Sequence, residues 1–357
     1  MSLPLGTRTR LSLVIVSYNN RAEIEACLRS ALRSLGQADE LILVDNASSD
    51  GTAELAESSF PGLCILRPGN NLGFGAGSNL GALHAQGEYL AFLNPDTTVE
   101  PGWLEALLSA LQADPQAGLA TSKILLLDDP QRINTCGNEM HISGLTLCRG
   151  MGQPEHSFSN LEQVSAVSGA AFMMRRELFE TLGGFDENFF MYMEDTDLSL
   201  RARLAGYTCL YVPGSVVYHQ YTLRFGPRKT YYQERNRYWM LLKVLRKRTL
   251  LALLPALLLA ELVTWGFVIL RERRNWGNKL RAYADVFRHW KQLSLARRQT
   301  QALRRVSDCR LLAHAQYHLG YEQTGHGVFP SLAHWIFDPL FWLARLFARG
   351  LGCLLCA

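Results

Sequence analysis

Short apolar runs of strand length alternate with segments of helical period along the first third of the chain. Residues 11–16 are followed by apolar positions at helical spacing over about 22–35, residues 41–44 by a helix over about 52–58, and residues 63–66 by one over about 76–86. The run 89–93 leads to a helix over about 103–113, and a fifth strand is predicted at 119–122. Unbroken apolar strands are buried on both faces, so their alternation with amphipathic helices predicts an α/β fold built on a doubly wound sheet. From about 128 to 163 the periodicity disappears among Gly, Asn, Ser and His. That stretch reads as a long loop or small excursion over one end of the sheet, of the kind that shapes binding.

Polar residues gather where the strands end, which is the edge where open α/β sheets bind ligands. Ser17-Tyr18-Asn19-Asn20 follows the first run, and Asp45-Asn46-Ala47-Ser48-Ser49-Asp50-Gly51-Thr52 follows the second. Asp50 stands where a helix cap is expected. Asp45 lies further from the helix, and with the Ser17–Asn20 cluster it points to a nucleobase and ribose. Asn94-Pro95-Asp96 directly follows the run 89–93, and a carboxylate there suggests a metal-diphosphate site, although Asn, Pro and Asp are also ordinary turn formers. Gly73-Phe74-Gly75-Ala76-Gly77-Ser78-Asn79 misses the G-x-G-x-x-G fingerprint in both registers, because the third glycine would fall on Ser78 or Leu80. Its small residues either open a helix beside a bound diphosphate or let the helix pack closely on the sheet.

A second cluster lies downstream. Gly183-Gly184-Phe185-Asp186-Glu187 makes a turn, Phe189-Phe190-Met191-Tyr192 an aromatic wall, and Glu194-Asp195-Thr196-Asp197 opens a helix. Acids in a first turn are favoured by the helix dipole, but three in four residues exceed what a cap requires. A carboxylate held at a helix start beside an aromatic wall suits a general base.

Taken in order, these motifs resemble the GT-A fold of the family 2 inverting glycosyltransferases over residues 11–219, about 60% of the chain. The matching pieces are Val16-Ser17-Tyr18-Asn19, Val44-Asp45-Asn46-Ala47-Ser48-Ser49-Asp50-Gly51, Asn71-Leu72-Gly73-Phe74-Gly75, Asn94-Pro95-Asp96 and Glu194-Asp195-Thr196-Asp197-Leu198. The Asn-Leu-Gly-Phe and Asn-Pro-Asp forms are most similar to the rhamnosyltransferase-like branch, which builds bacterial surface polysaccharides. The resemblance implies a doubly wound mixed sheet that binds a nucleotide sugar in a Rossmann-like manner. It implies that Asp45 binds the donor base, with Ser17, Tyr18, Asn19, Asn71, Gly73, Asn79 and Asn94 completing the donor site. Asp96 would ligate a divalent cation, Mg2+ or Mn2+, on the donor diphosphate, and His219, 24 residues beyond Asp195, would be a second metal ligand. Asp195, with Glu194 beside it, would deprotonate the acceptor hydroxyl in a single displacement that inverts the anomer. The implied donor is dTDP-rhamnose, and the implied acceptor is a lipid-linked or otherwise membrane-held saccharide. One departure matters: the first acid of the family's Asp-x-Asp is Asn94 here. With one carboxylate in the motif, metal affinity in the absence of donor should be weak.

Composition alters the picture mainly in the last third. The 357 residues are 48% apolar, ample for a sizeable core. The net charge of +4 hides a division, since residues 1–220 carry 13 Lys and Arg against 25 Asp and Glu, and residues 221–357 carry 23 against 7. A GT-A domain over 1–240 is therefore expected to precede a basic, apolar, helical region over 241–357. Residues 250–270 form a mostly apolar stretch about 31 Å long if helical, enough to span a bilayer core. Pro255 and Glu261 interrupt it, and cations flank both ends, so the positive-inside rule gives no orientation. A helix lying in the cytoplasmic leaflet, a true span and a buried core helix all remain open, with the first favoured. Trp335, Phe337, Phe341, Trp342 and Phe347, accompanied by Arg345 and Arg349, form a second such segment. The basic residues are interleaved with apolar runs, which favours an anionic membrane surface over nucleic acid. A packing or homo-oligomer interface is the alternative use of these residues.

The eight cysteines are scattered and no signal-peptide pattern precedes the first strand, pointing to a reduced setting on the cytoplasmic face of the inner membrane. Cys353-Leu354-Leu355-Cys356 has redox or zinc spacing but lacks a second pair, and reads as terminal apolar packing. Two other functions compete with sugar transfer. A non-catalytic nucleotide-binding scaffold of a polysaccharide assembly would not need both Asp96 and Asp195. A nucleotidyltransferase would need a basic phosphate-gripping loop after the first strand, where Ser17–Asn20 has no Lys and Arg21 alone follows.

Overall fold

The computed structural model describes residues 9–221, 226–324 and 328–351; the Cys353 and Cys356 pair lies outside the described residues. The chain falls into two compact units. One contains residues up to Gly137, Cys148–Ala202 and Tyr207–Tyr221; the other contains Asn138–Leu147, Arg203–Gly206 and the chain beyond Tyr221.

The first unit opens with β1 (Leu11–Ser17), α1 (Ile24–Arg33), β2 (Asp39–Asp45), α2 (Thr52–Ser59), β3 (Cys64–Leu66), α3 (Phe74–His84) and β4 (Tyr89–Leu93). β1 pairs in parallel with β2 on one side and β4 on the other, and β2 pairs in parallel with β3. All seven residues of β1 are buried, as a central parallel strand requires. α1 turns Ile24, Cys27, Leu28 and Ala31 inward at helical spacing. α3 settles on the sheet through small residues: a Cβ at Gly77 would lie 2.8 Å from Val16 Cγ1. Close packing is thus one demonstrated use of the glycine-rich run.

The chain continues through β5 (Thr97–Val99), α4 (Trp103–Ala113), β6 (Ala117–Leu126), β7 (Ile133–Thr135), β8 (Asn138–Met140), β9 (Thr146–Cys148), β10 (Glu162–Gln163), β11 (Ala171–Arg175), α5 (Arg176–Leu182), α6 (Glu194–Leu204) and β12 (Thr208–His219). The main sheet runs β10-β12-β6-β11-β4-β1-β2-β3, with β5 on β12 and β7 on β6, while β8 and β9 form a separate pair. The unperiodic stretch 128–163 is therefore not a single loop. It contributes short strands to the sheet margin.

The apolar pattern does not announce two strands of the sheet, β11 and β12, and the first of them makes the sheet mixed. β11 lies antiparallel between β4 and β6, with Ala171 opposite Leu93, so its amino end stands beside the carboxyl end of β4. β12 runs parallel to β6 and skips register between Val212 and Val216, at Pro213-Gly214-Ser215. Beneath β4 and β11, Phe92 stacks on Phe172 at 4.9 Å and meets Phe179 and Phe185 at 5.5 and 5.4 Å.

Helices dominate the second unit: α7 (Pro227–Val244), α8 (Lys247–Ala252), α9 (Leu254–Arg271), α10 (Trp276–Arg288), α11 (Trp290–Ala302), α12 (Asp308–Leu311) and α13 (Val328–Gly350). The expected single helix over 250–270 is broken at Leu253, and Pro255 falls in the first turn of α9, where its missing N–H costs nothing. Glu261 does not interrupt α9 either. Its carboxylate accepts from Arg237, Tyr238 and Tyr283, and Lys279 Nζ stands 3.2 Å away. Arg237 also binds Glu234 at 2.5 Å and the Ser143 carbonyl at 3.2 Å, so the buried charges are paired and hydrogen-bonded.

Phe172 is fully buried in the aromatic cluster that joins β4 to β11. Phe172→Ala should cost about 3–5 kcal/mol of stability, read as a lower urea midpoint with an unchanged slope. A loss below about 1 kcal/mol would show that this cluster does not hold the mixed part of the sheet together.

Candidate active site

Asp96 lies in the short link between β4 and β5, and the pairing of β5 with β12 sets His219 opposite Thr97. The Gln220 N–H donates to the Asp96 carbonyl at 2.9 Å. On the far side of the imidazole, Nδ1 stands 2.9 Å from Asn134 Oδ1 on β7. With Asn134 Oδ1 accepting, Nδ1 donates, and in the neutral ring Nε2 is then left with its lone pair. That lone pair faces Asp96 Oδ1 at 3.2 Å, and this oxygen is buried with no hydrogen-bond partner. In that neutral form two acceptors face each other and repel. A divalent cation shared between imidazole nitrogen and carboxylate oxygen relieves that repulsion, so Asp96 and His219 fit a metal. Among the described residues no third His, Cys, Asp or Glu completes a cluster, which leaves the other coordination positions to a ligand and water.

The tips of β1 and β2 form a second wall. Ser17 and Asp45 are register partners, both buried. Asp45 Oδ2 accepts the Ser48 N–H at 3.2 Å, while its Oδ1 is buried without a partner. An orphaned carboxylate oxygen at a strand tip is an acceptor waiting for a donor from a ligand. Asn19 braces the two tips: its backbone N–H donates to Ser48 Oγ at 2.9 Å, and its Oδ1 accepts the Ser49 N–H at 2.8 Å. Tyr18 is 46% exposed above them. Asp50 accepts the Thr52 N–H at 3.0 Å at the start of α2, as a cap would.

Asn71 Oδ1 accepts the Gly73 N–H at 2.8 Å. Gly73 has φ +83°, and a Cβ there would sit 2.2 Å from the Phe190 carbonyl oxygen, so only glycine fits. The Phe74 N–H donates to that same oxygen at 2.9 Å, joining the glycine-rich loop to the aromatic wall. Asn79 has a different place from the expected one. Its Nδ2 donates to the Phe185 carbonyl at 2.9 Å and its Oδ1 accepts the Phe185 N–H at 2.8 Å, so it fastens α3 to the turn before α6 rather than facing a ligand.

The acids of α6 are separated by their surroundings. Asp195 is half-buried; its Oδ2 accepts the Gly169 N–H at 2.8 Å and its Oδ1 the Thr196 N–H at 2.6 Å. Asn94 donates its N–H to the Ala170 carbonyl at 2.9 Å. Consecutive residues before β11 therefore hold both the Asn94-Pro95-Asp96 link and the Asp195 carboxylate. Glu194 is buried with Oε2 unpartnered. Burial first, then Asp195 and Asp197, pushes its carboxyl up to about 8. Glu194 is thus held toward its neutral form near pH 7, so burial does not favour it as the proton acceptor there. Asp197 pairs with Arg201 at 2.8 Å, and Arg201 donates to the Leu182 and Gly184 carbonyls at 2.7 and 2.8 Å.

Asn46, Asn134, Gly169 and Arg201 are the contributors that the sequence motifs do not single out. Asn46 Nδ2 donates to the Gly73 carbonyl at 2.9 Å and its Oδ1 accepts the Leu72 N–H at 3.1 Å. Its position directly after Asp45 is a usable signal. Asn134 and Gly169 carry none, since they stand in unperiodic sequence and act through partners far along the chain.

Residues 12–183 match the family model described as Glycosyl transferase family 2. An N-acetylglucosaminyl-diphospho-decaprenol L-rhamnosyltransferase of Mycobacterium tuberculosis is 30% identical over 233 residues, covering 58% of this chain and 75% of that protein. Among solved structures, S. aureus TarS 1-349 in complex with UDP-GlcNAc matches with a TM-score of 0.55 at 15% identity, over 96% of this chain and 92% of that one. GalNAc-T7 with UDP, GalNAc and Mn2+ matches with a TM-score of 0.53 at 18% identity, over 66% of this chain and 48% of that one. At such identities the likeness shows the fold, a GT-A mixed sheet with a helical region after it.

The state of Glu194 gives a pH test. The folded chain keeps a proton that the unfolded chain releases near 4.5, so stability falls as pH rises from there toward about 8 and then levels. Glu194→Gln, which mimics the neutral form, removes that slope. Denaturant unfolding across this window should show the variant gaining on the natural chain as pH rises; a constant gap would mean that Glu194 is ionised throughout.

Proposed function

The chain belongs to glycosyl transferase family 2, and on that footing we propose that it is an inverting, metal-dependent transferase that moves rhamnose from dTDP-rhamnose to a lipid-linked or otherwise membrane-held saccharide in cell-surface polysaccharide synthesis. The observation that carries this reading is the facing pair Asp96 and His219, with Asp195 held by the adjoining Gly169. The mycobacterial relative, whose name gives L-rhamnosyl transfer and a decaprenol-linked N-acetylglucosamine, supports the choice of sugar and acceptor. The Mn2+ bound with UDP in GalNAc-T7 supports the choice of cofactor.

Asp96 and His219 would hold Mg2+ or Mn2+ together with diphosphate oxygens and water. When bound, the cation offsets the charge that builds on the departing nucleoside diphosphate. Asp45 Oδ1 accepts a base N–H, with Ser17, Tyr18 and the Asn71-Leu72-Gly73 loop around the nucleoside. Asp195 accepts the acceptor hydroxyl proton as that oxygen bonds to the anomeric carbon and the bond to the diphosphate breaks on the opposite face. Glu194, held neutral, keeps a second negative charge away from the base. The basic, apolar second unit attaches the enzyme to the cytoplasmic face of the inner membrane, where a membrane-held acceptor lies.

Asp96→Ala should weaken metal-dependent donor binding, whereas Asp195→Asn should leave donor binding intact and lower transfer by about 10²- to 10⁴-fold. Equal loss of donor affinity in both variants, measured by calorimetry, would overturn the division of roles. NMR of the product should show the anomeric configuration inverted relative to the donor. Retention would rule out a single displacement.

A further inference from the structure

α9 has two unlike faces. Ala256, Ala260 and Val268 are buried at helical spacing, whereas Leu254, Leu258, Leu262 and Ile269 on the other side are 48–64% exposed. α13, which packs against α9, repeats the pattern: Phe341, Ala344 and Ala348 are buried, and Leu332, Trp335, Leu343 and Phe347 are 53–79% exposed. Apolar exposure on this scale marks a surface that something covers. Its charges say what. Lys247 and Arg248 are exposed before α9, Arg271, Arg273 and Arg274 at its end, and Arg349 at the end of α13. A second copy of the chain would bring the same cations together, whereas an anionic lipid surface takes both the apolar faces and the charges.

By length and composition α9 is, among the described residues, the one helix able to cross a membrane. Its packing opposes that. Glu261 is its one acid, and the carboxylate is gripped by Arg237 and Tyr238 of α7 and by Lys279 and Tyr283 of α10. Arg237 and Lys279 are fully buried, so crossing would either strip them of Glu261 or draw α7 and α10 into lipid, and α10 carries exposed Arg281 and Arg288. Crossing would also carry one of the two cationic ends of α9 to the far side of the membrane.

We propose that α9 and α13 lie together in one leaflet of an anionic membrane, and that Glu261, held by Arg237 and Lys279, keeps α9 from crossing. This rests on the membrane attachment proposed above. Full-length Lys247→Cys and Arg273→Cys variants, treated with an impermeant maleimide in spheroplasts and in inverted inner-membrane vesicles, test it, with modified peptides identified by mass spectrometry. Both ends of α9 should react in inverted vesicles and neither in spheroplasts; reaction of the two ends from opposite sides would overturn the one-leaflet arrangement. Adding Glu261→Leu or Glu261→Gln should create a population with ends on opposite sides, larger for Leu. If neither does, Glu261 is not the restraint. The attachment itself is read separately: the natural chain should sediment with phosphatidylglycerol vesicles and not with phosphatidylcholine alone. A chain that stays soluble and elutes as a dimer would sink the attachment, whatever the topology.

Discussion

Asp96 Oδ1 and His219 Nε2 stand 3.2 Å apart, and the strand pairing of the first unit keeps them there. The two residues are 123 positions apart in the sequence. β12 runs parallel to β6 so that its last residue reaches the carboxyl edge of the sheet, and β5 turns back to pair with it. β7, also on β6, supplies Asn134, whose Oδ1 stands 2.9 Å from the imidazole Nδ1. On the proposed function, a cation arriving with a diphosphate would be held by this pair. Under the proposed function the scaffold holds an incomplete site whose remaining oxygens would come with the donor.

The backbone around this site is strained in a consistent way. Among the described residues, the non-glycine positions with positive φ are Asn19, Ala47, Phe190, Tyr192 and Met193. The first two cap the tips of β1 and β2; the other three form the approach to Glu194 and Asp195. Each left-handed residue of this kind costs about 1–3 kcal/mol, so the arrangement persists only where surrounding contacts determine it. Here the contacts are visible. Asn19 is bonded to Ser48 and Ser49, the Phe190 carbonyl accepts from Phe74, and Arg201 ties α6 to the Gly183-Gly184 turn through two carbonyls. A buried Glu194, pushed toward its neutral form, stands beside a half-exposed Asp195 whose oxygens accept from Gly169 and Thr196.

What was legible in the sequence follows from locality. β1, β2 and β4 are unbroken apolar runs, each followed by a helix of clear period, so the parallel half of the sheet could be placed from pattern alone. β11 could not, because Ala-Phe-Met-Met-Arg is as compatible with a helix as with a strand, and its antiparallel place between β4 and β6 is decided by tertiary pairing. Pro213 and Gly214 disguise β12 as two fragments. Asp45, Asp96, Asp195 and His219 stand out because they end strands or begin a helix, positions that local pattern locates. Asn79 was misplaced because proximity to the glycine-rich run suggested a ligand, while its true partner lies 106 residues away. Glu194 and Asp195 are adjacent in sequence and differ only in burial, which no spacing records. In the second unit, Glu261 looked like a flaw in an apolar stretch until Arg237 and Lys279 were seen around it.

Under the proposed function, Asp96 and His219 make a metal site that the donor diphosphate completes. Titration of Mn2+ into the protein, followed by electron paramagnetic resonance of the free ion, tests it most directly. Binding should be weak for the protein alone and should tighten to one saturable Mn2+ when a nucleoside diphosphate is present, with His219→Ala abolishing that gain. Equally tight Mn2+ binding with and without the nucleoside diphosphate, or a gain that survives His219→Ala, would contradict it.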